Sequence, residues 1–178
     1  RLLESNMPEK LHPYFIIALH TGMRRSEICN LRWENITFPA KDIYVSTSKS
    51  GKARHIFMND TVNKLMLKLY GMSKNSEDKV LNAYNPSTVS HVFADVCVKT
   101  GLKDVRFHDL SHTFASQLVM AGVSIFKVSR WLGHSTVLMK VGDKVIITDP
   151  VFWDVNLLIK RKTPFPIEPE TLSRIDYV

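Results

Sequence analysis

The chain has 178 residues, 44% hydrophobic and 23% charged, an ordinary composition for a soluble globular protein that fits one domain with room for a substantial core. Lys and Arg number 24 against 17 Asp and Glu, a formal +7, and the excess lies in residues 1–140, with 19 basic against 11 acidic, whereas residues 141–178 hold 5 against 6. Cys29 and Cys97 stand far apart with no CxxC or Cys/His spacing, which argues against a disulfide framework or a zinc site, and no apolar run reaches the roughly 20 residues of a membrane span. A reducing, intracellular compartment is the expectation. The positive excess suits a polyanion, because each Lys or Arg set near a phosphate releases a counterion, although a basic surface without such a partner fits the charge equally well.

In chain order, the apolar run Tyr14 to Leu19, opened by Pro13 and stopped by Gly22, predicts a short buried helix with Arg24 just beyond its end. Ser26, Glu27, Ile28, Cys29 and Leu31 predict a second short helix anchored by Trp33 and Ile36, so that residues 21–25 form a corner. Ile43, Val45 and Thr47 alternate, and His55 and Phe57 follow a Lys49-Ser50-Gly51-Lys52 turn, which predicts a β-hairpin with a basic tip. Helices follow at 61–72, with Leu65, Leu69 and Met72 at helical spacing, and at 87–99, where Val89, Val92, Phe93, Val96 and Cys97 share a stripe. Gly71 and Gly101 are expected to close them. Two more helices are expected, at 108–120 and, with Ser124 as its cap, up to Gly133. The expected fold is thus mostly α with a small antiparallel β-hairpin or sheet, an α+β arrangement. Beyond residue 140 a strand is expected at 144–149 and an extended segment around Pro164, Pro166 and Pro169.

Thr21-Gly22-Met23-Arg24-Arg25-Ser26-Glu27-Ile28, continuing through Leu31, Arg32 and Trp33, resembles the first signature box of the tyrosine recombinase (phage integrase) family. The resemblance makes Arg24 the first catalytic arginine, and a guanidinium on a rigid corner suits two phosphate oxygens on its own account. The hairpin tip is similar to the family's lysine-bearing hairpin. It points to Lys49, with Lys52 as the competing assignment, as proton donor to the departing 5′ oxygen in place of a metal. His108-Asp109-Leu110-Ser111-His112-Thr113-Phe114-Ala115-Ser116 resembles the second box, HxLRHTFAS, and is the most specific match. Here the family's second arginine falls on Ser111, three residues from His108 and expected on the same side of the helix. Loss of a preorganised arginine from a phosphoryl-transfer site costs on the order of 10³ to 10⁵ in rate. Arg106, Arg130 and His112 are nearby candidates to compensate.

Leu132-Gly133-His134-Ser135 resembles the third box and places His134 beside the phosphate. The family's tyrosine nucleophile, about nine residues on, falls on Asp143, and no tyrosine lies between Tyr84 and Tyr177, which leaves Tyr177 as the remaining downstream candidate.

The resemblance covers residues 1–140 and implies an integrase-like catalytic domain that binds double-stranded DNA, works without metal or other cofactor, and assembles as a homo-oligomer on its substrate. Arg25, Lys52, Arg54 and Arg130 are the expected DNA contacts. In a complete site a tyrosine attacks the phosphate, forming a 3′-phosphotyrosyl bond and freeing a 5′ hydroxyl, and rejoining reverses the step. Because the chain starts at Arg1, it reads as a piece of a longer protein, with an N-terminal DNA-binding domain expected outside it. Residues 141–178, atypical for the family, read as a cap, an arm exchanged between protomers, or an unrelated segment. Three functions follow: a recombinase or integrase with impaired activity, a non-catalytic DNA-binding remnant or regulator, and a helix-turn-helix transcription factor reading bases through residues 124–132. The third leaves the boxes at Arg24 and His108 unexplained.

Overall fold

The computed structural model describes residues 2–46, 53–73, 78–132, 137–141 and 144–148, and the chain divides into two compact units, Arg1–Gln117 and Leu118–Val178. The first unit opens with the short helix α1 (Leu2–Ser5) and the ten-residue helix α2 (His12–Thr21). Tyr14, Phe15, Ile16, Ile17 and Ala18 of α2 are all buried, as befits a helix apolar on every side. Pro13 sits in its first turn, where a missing N–H costs nothing. Gly22 ends it at φ 66°, a left-handed conformation that suits a residue without Cβ, and returns its N–H to the Ala18 carbonyl at 3.0 Å. The Tyr14 hydroxyl accepts from the Tyr84 N–H at 3.0 Å and donates to the Tyr84 carbonyl at 3.3 Å, so its burial inside the core leaves no orphaned polar group.

Helix α3 (Arg25–Cys29) and a 3₁₀ turn (Trp33–Asn35) lead into three antiparallel strands, β1 (Ile36–Thr37), β2 (Asp42–Val45) and β3 (Arg54–Phe57), ordered β1-β2-β3. The register pairs Ile43 with Ile56 and Val45 with Arg54. Because strand side chains alternate, Ile43, Val45, Ile56 and Arg54 all turn inward, and Tyr44, His55 and Phe57 turn out. A charged residue therefore occupies a core-facing position.

Helix α4 (Asp60–Met72) is capped by Asn59, whose side-chain oxygen accepts from the Val62 N–H at 3.0 Å. Its buried stripe is Val62 and Met66; Leu65 and Leu69 are half-buried and Met72 is 70% exposed, so the expected stripe is displaced around the helix. Gly71 lies within α4 and does not close it. Helix α5 (Pro86–Lys99) is capped by Asn85 in the same way, through the Thr88 N–H at 2.9 Å. It buries Val89, Phe93, Val96 and Cys97 and ends at Gly101, φ 73°, with Leu102 N–H bonded to the Cys97 carbonyl and Gly101 N–H to that of Val98, a Schellman closure. Helix α6 (Asp109–Met120) packs Leu110 and Ala115 inward, and Phe107 meets Phe93 edge to face at 5.4 Å.

In the second unit, helix α7 (Ile125–Leu132) buries Val128 and Leu132, and the Ser124 hydroxyl accepts the Lys127 N–H at 3.4 Å. An antiparallel pair follows, β4 (Val137–Val141) with β5 (Lys144–Thr148); β5 coincides with the expected strand, whereas β4 was not expected. The architecture is mostly helical with a small three-stranded antiparallel sheet, as the periodicity and the resemblance implied. No helix among the described residues is long and apolar enough to cross a membrane, and no cluster of three or more His, Cys, Asp or Glu among them suits a metal ion.

Candidate functional site

The corner between α2 and α3 is built by its own short bonds. The Thr21 hydroxyl donates to the Ile17 carbonyl at 2.5 Å and accepts the Met23 N–H at 3.2 Å, which fixes the chain on both sides of Gly22. Arg24 then takes an extended backbone, φ −70° and ψ 148°, at the threshold of α3. The Glu27 carboxylate, one turn on, accepts the Arg24 N–H at 2.8 Å and the Arg24 guanidinium at 3.3 Å.

That carboxylate has a second, stronger partner. Arg54 on β3 gives it two bonds, 2.9 Å to Oε1 and 2.7 Å to Oε2, in fork geometry. The side chains of Glu27 and Arg54 are only 5% and 8% exposed, whereas that of Arg24 keeps 19%. Burial pushes the Glu27 carboxyl up, but the hydrogen bonds and positive charges of Arg54 and Arg24 outweigh it and hold the group below its ordinary value. One buried carboxylate thus faces two guanidiniums, of which Arg24 is the more exposed. Arg54, expected to touch DNA, lies on the core-facing side of β3 and gives both terminal nitrogens to Glu27. Glu27, in sequence simply a member of the first box, joins the sheet to the corner.

His108 precedes α6, exposed, with its ring edge to face against His112 at 5.1 Å. Partial burial lowers its imidazole below the ordinary range, and His112, Arg24 and Arg106 push the same way while Asp109 opposes. Neutral imidazole can donate one hydrogen bond to a phosphate oxygen. The turn holding it is clasped on itself: Arg106 N–H donates to the Asp109 carboxylate at 2.7 Å, and Asp109 N–H to the Arg106 carbonyl at 2.9 Å.

Ser111 is buried, and its hydroxyl donates to the His108 carbonyl at 2.7 Å. His108 is exposed while Ser111 is buried one turn further on.

Arg24 and His108, 84 positions apart, line one cleft of about 540 Å³. Met23, Arg25 and Ser26 of the corner, Ser90, His91, Phe93 and Ala94 of α5, and Val105, Arg106 and Phe107 complete it. Arg25 donates to the Ser90 hydroxyl, linking two walls. Ser90 and His91 were not foreseen, because they lie on a helix whose apolar stripe carried the sequence signal. Arg130 is exposed on α7 in the second unit. Lys49, Lys52, His134, Asp143 and Tyr177 lie outside the described residues.

Residues 4–140 match the phage integrase family. The integrase of Salmonella phage P22 is 32% identical over 146 residues, covering 74% of this chain and 38% of that protein. Among solved structures, a XerA recombinase is 26% identical with a TM-score of 0.60 and covers 71% of this chain and 49% of its own. A lambda integrase tetramer bound to a Holliday junction shares the fold, with a TM-score of 0.62 at 21% identity over 75% of this chain and 44% of its own. The chain spans half or less of the length of each of these proteins.

Proposed function

The chain belongs to the phage integrase family, and on that premise we propose that it is the catalytic region of a site-specific DNA recombinase or integrase, which breaks and rejoins DNA strands. The observation that carries this reading is the meeting of Arg24 and His108 at one cleft, from two segments distant in sequence. In it the Arg24 fork, steadied by Glu27, takes phosphate oxygens, and neutral His108 donates a hydrogen bond to them. By the family resemblance Lys49, or Lys52, is the proton donor to the departing 5′ oxygen and His134 a further phosphate-binding group. Arg25 and Arg130 serve the DNA backbone, and Arg54 acts through Glu27 as a positioning residue.

In the reaction a tyrosine hydroxyl loses its proton and attacks phosphorus. The bond from phosphorus to the 5′ oxygen breaks, a 3′-phosphotyrosyl bond forms, and the released oxygen takes a proton as a 5′ hydroxyl. Reversal by another strand's 5′ hydroxyl rejoins DNA with no ATP, metal or cofactor in the balance. Tyr177 is the nucleophile candidate within the chain, and by the family resemblance the chain assembles as a homo-oligomer on duplex DNA.

A second reading, a DNA-binding regulator without catalysis, draws on Ser111, whose hydroxyl is committed to a backbone carbonyl and brings no charge to the phosphate. A pool of nicked suicide duplexes of randomised sequence separates the two. The catalytic reading expects a covalent protein–DNA adduct that disappears in Tyr177→Phe. Salt-sensitive DNA binding that never yields an adduct selects the regulator.

A further inference from the structure

The cleft holds a third cation that no family box assigned. Arg106 lines it together with Arg24 and His108, is exposed, and has no hydrogen bond or ion pair to its guanidinium among the described residues. Its backbone is nonetheless fixed, because the reciprocal bonds with Asp109 pin the turn from which the side chain projects. The other cations of the cleft are differently engaged. Arg24 shares Glu27 with Arg54, so part of its charge is already balanced, and Arg25 is tied to Ser90. Ser111 neither lines the cleft nor carries charge.

A phosphodiester presents two non-bridging oxygens whose charge grows as phosphorus is attacked, and the fitting counterpart is a pair of planar forks approaching from different sides. Arg24 comes from the α2–α3 corner and Arg106 from the turn before α6, so the cleft supplies such a pair. We propose that Arg106 is the second phosphate-binding guanidinium of this site, holding with Arg24 the non-bridging oxygens of one DNA phosphodiester. The assignment rests on the DNA-binding reading above and specifies its chemistry. That both guanidiniums depress the His108 imidazole agrees with their common neighbourhood.

The test uses the full chain with inorganic sulfate as a non-titrating phosphodiester mimic, added at constant ionic strength while the His108 ring signal is followed by NMR. Wild-type protein gives a saturable shift. Arg106→Ala weakens sulfate by about tenfold, the low end for hydrogen bonds to charged groups, and Arg106→Lys recovers part of it. Because Arg106 is exposed and its backbone bonds do not need its side chain, the variants keep the wild-type unfolding midpoint, which separates lost binding from lost fold. In parallel, the slope of log affinity against log salt for a duplex oligonucleotide falls by about one unit in Arg106→Ala. Unchanged sulfate binding in Arg106→Ala, with loss in Arg24→Ala, overturns the role of Arg106 and leaves the phosphate cleft standing. Absence of a saturable shift in wild-type protein overturns the cleft itself and this assignment with it. Weaker sulfate binding with an unchanged duplex slope shows that the cleft takes a free anion and overturns the assignment to DNA.

Discussion

Replacing Arg54 with alanine removes both forked bonds to Glu27 and leaves a carboxylate whose side chain is 5% exposed with Arg24 as its remaining partner. Breaking a buried ion pair from one side costs about 3–5 kcal/mol, because the surviving charge keeps its desolvation penalty. The two Arg24 contacts retain part of the compensation, which places the expected loss near the lower bound, about 3 kcal/mol at pH 7. For a domain of this size that lowers the midpoint of thermal unfolding by about 6–12 °C. The pH dependence gives the mechanism away. In the wild type the Glu27 carboxyl is depressed in the folded state, so its stabilisation is present above the unfolded carboxylate value and is lost as pH falls through the folded one. Without Arg54 the burial that pushes this group up is opposed by Arg24 alone, and the variant gains relative to wild type as Glu27 protonates. Urea unfolding of both proteins from pH 7 down to about pH 3, spanning the ordinary Glu range, therefore shows the gap narrowing with acid. Arg54→Met with Glu27→Leu recovers much of the loss at neutral pH. A gap below about 1 kcal/mol at pH 7, the range of a surface pair, or one that stays constant with pH, refutes the buried-network account.

Other outcomes follow from single contacts. Gly22→Ala forces a Cβ into the left-handed φ of 66° and costs about 1–2 kcal/mol, and because it also shifts the corner it weakens duplex DNA binding, read by fluorescence anisotropy. Asn59→Ala removes the α4 cap and costs about 1 kcal/mol in urea unfolding while leaving DNA affinity unchanged. Ser111→Arg, if it adds a third fork to the phosphate, raises adduct yield in the nicked-duplex assay; folded protein with no gain in yield contradicts that alignment.

The parts of the fold legible in the sequence were those fixed by local chemistry. The apolar run of α2 between Pro13 and Gly22 reads directly because a helix buried on all sides needs no decision about its face. On α4 the decision matters, and apolar residues are spread more widely than the face that packs: Val62 and Met66 are buried while Met72 is exposed. Helices α4 and α5 each begin one residue earlier than the periodicity predicts, because their caps, Asn59 and Asn85, are recognised only from the bonds they accept. At the site, the boxes around Arg24 and His108 contain five of the residues lining the cleft, Met23, Arg24, Arg25, Ser26 and His108. Arg54 did not announce its role, since a basic residue beside a hairpin turn looks like surface until the register faces it inward and Glu27, 27 positions away, meets it. Arg106 was visible only as a nearby cation, because its place in the cleft depends on how α5 and the turn before α6 approach the corner.

The central claim is that the cleft carrying Arg24 and His108 grips a DNA phosphodiester. The most direct measurement is the shift of the His108 ring signal on adding duplex DNA, in wild-type protein and in Arg24→Ala. A saturable shift is expected in the wild type, with an affinity that falls steeply as salt rises, and its loss in Arg24→Ala with the fold retained. DNA binding that leaves the His108 signal unmoved, or is indifferent to Arg24→Ala, contradicts it.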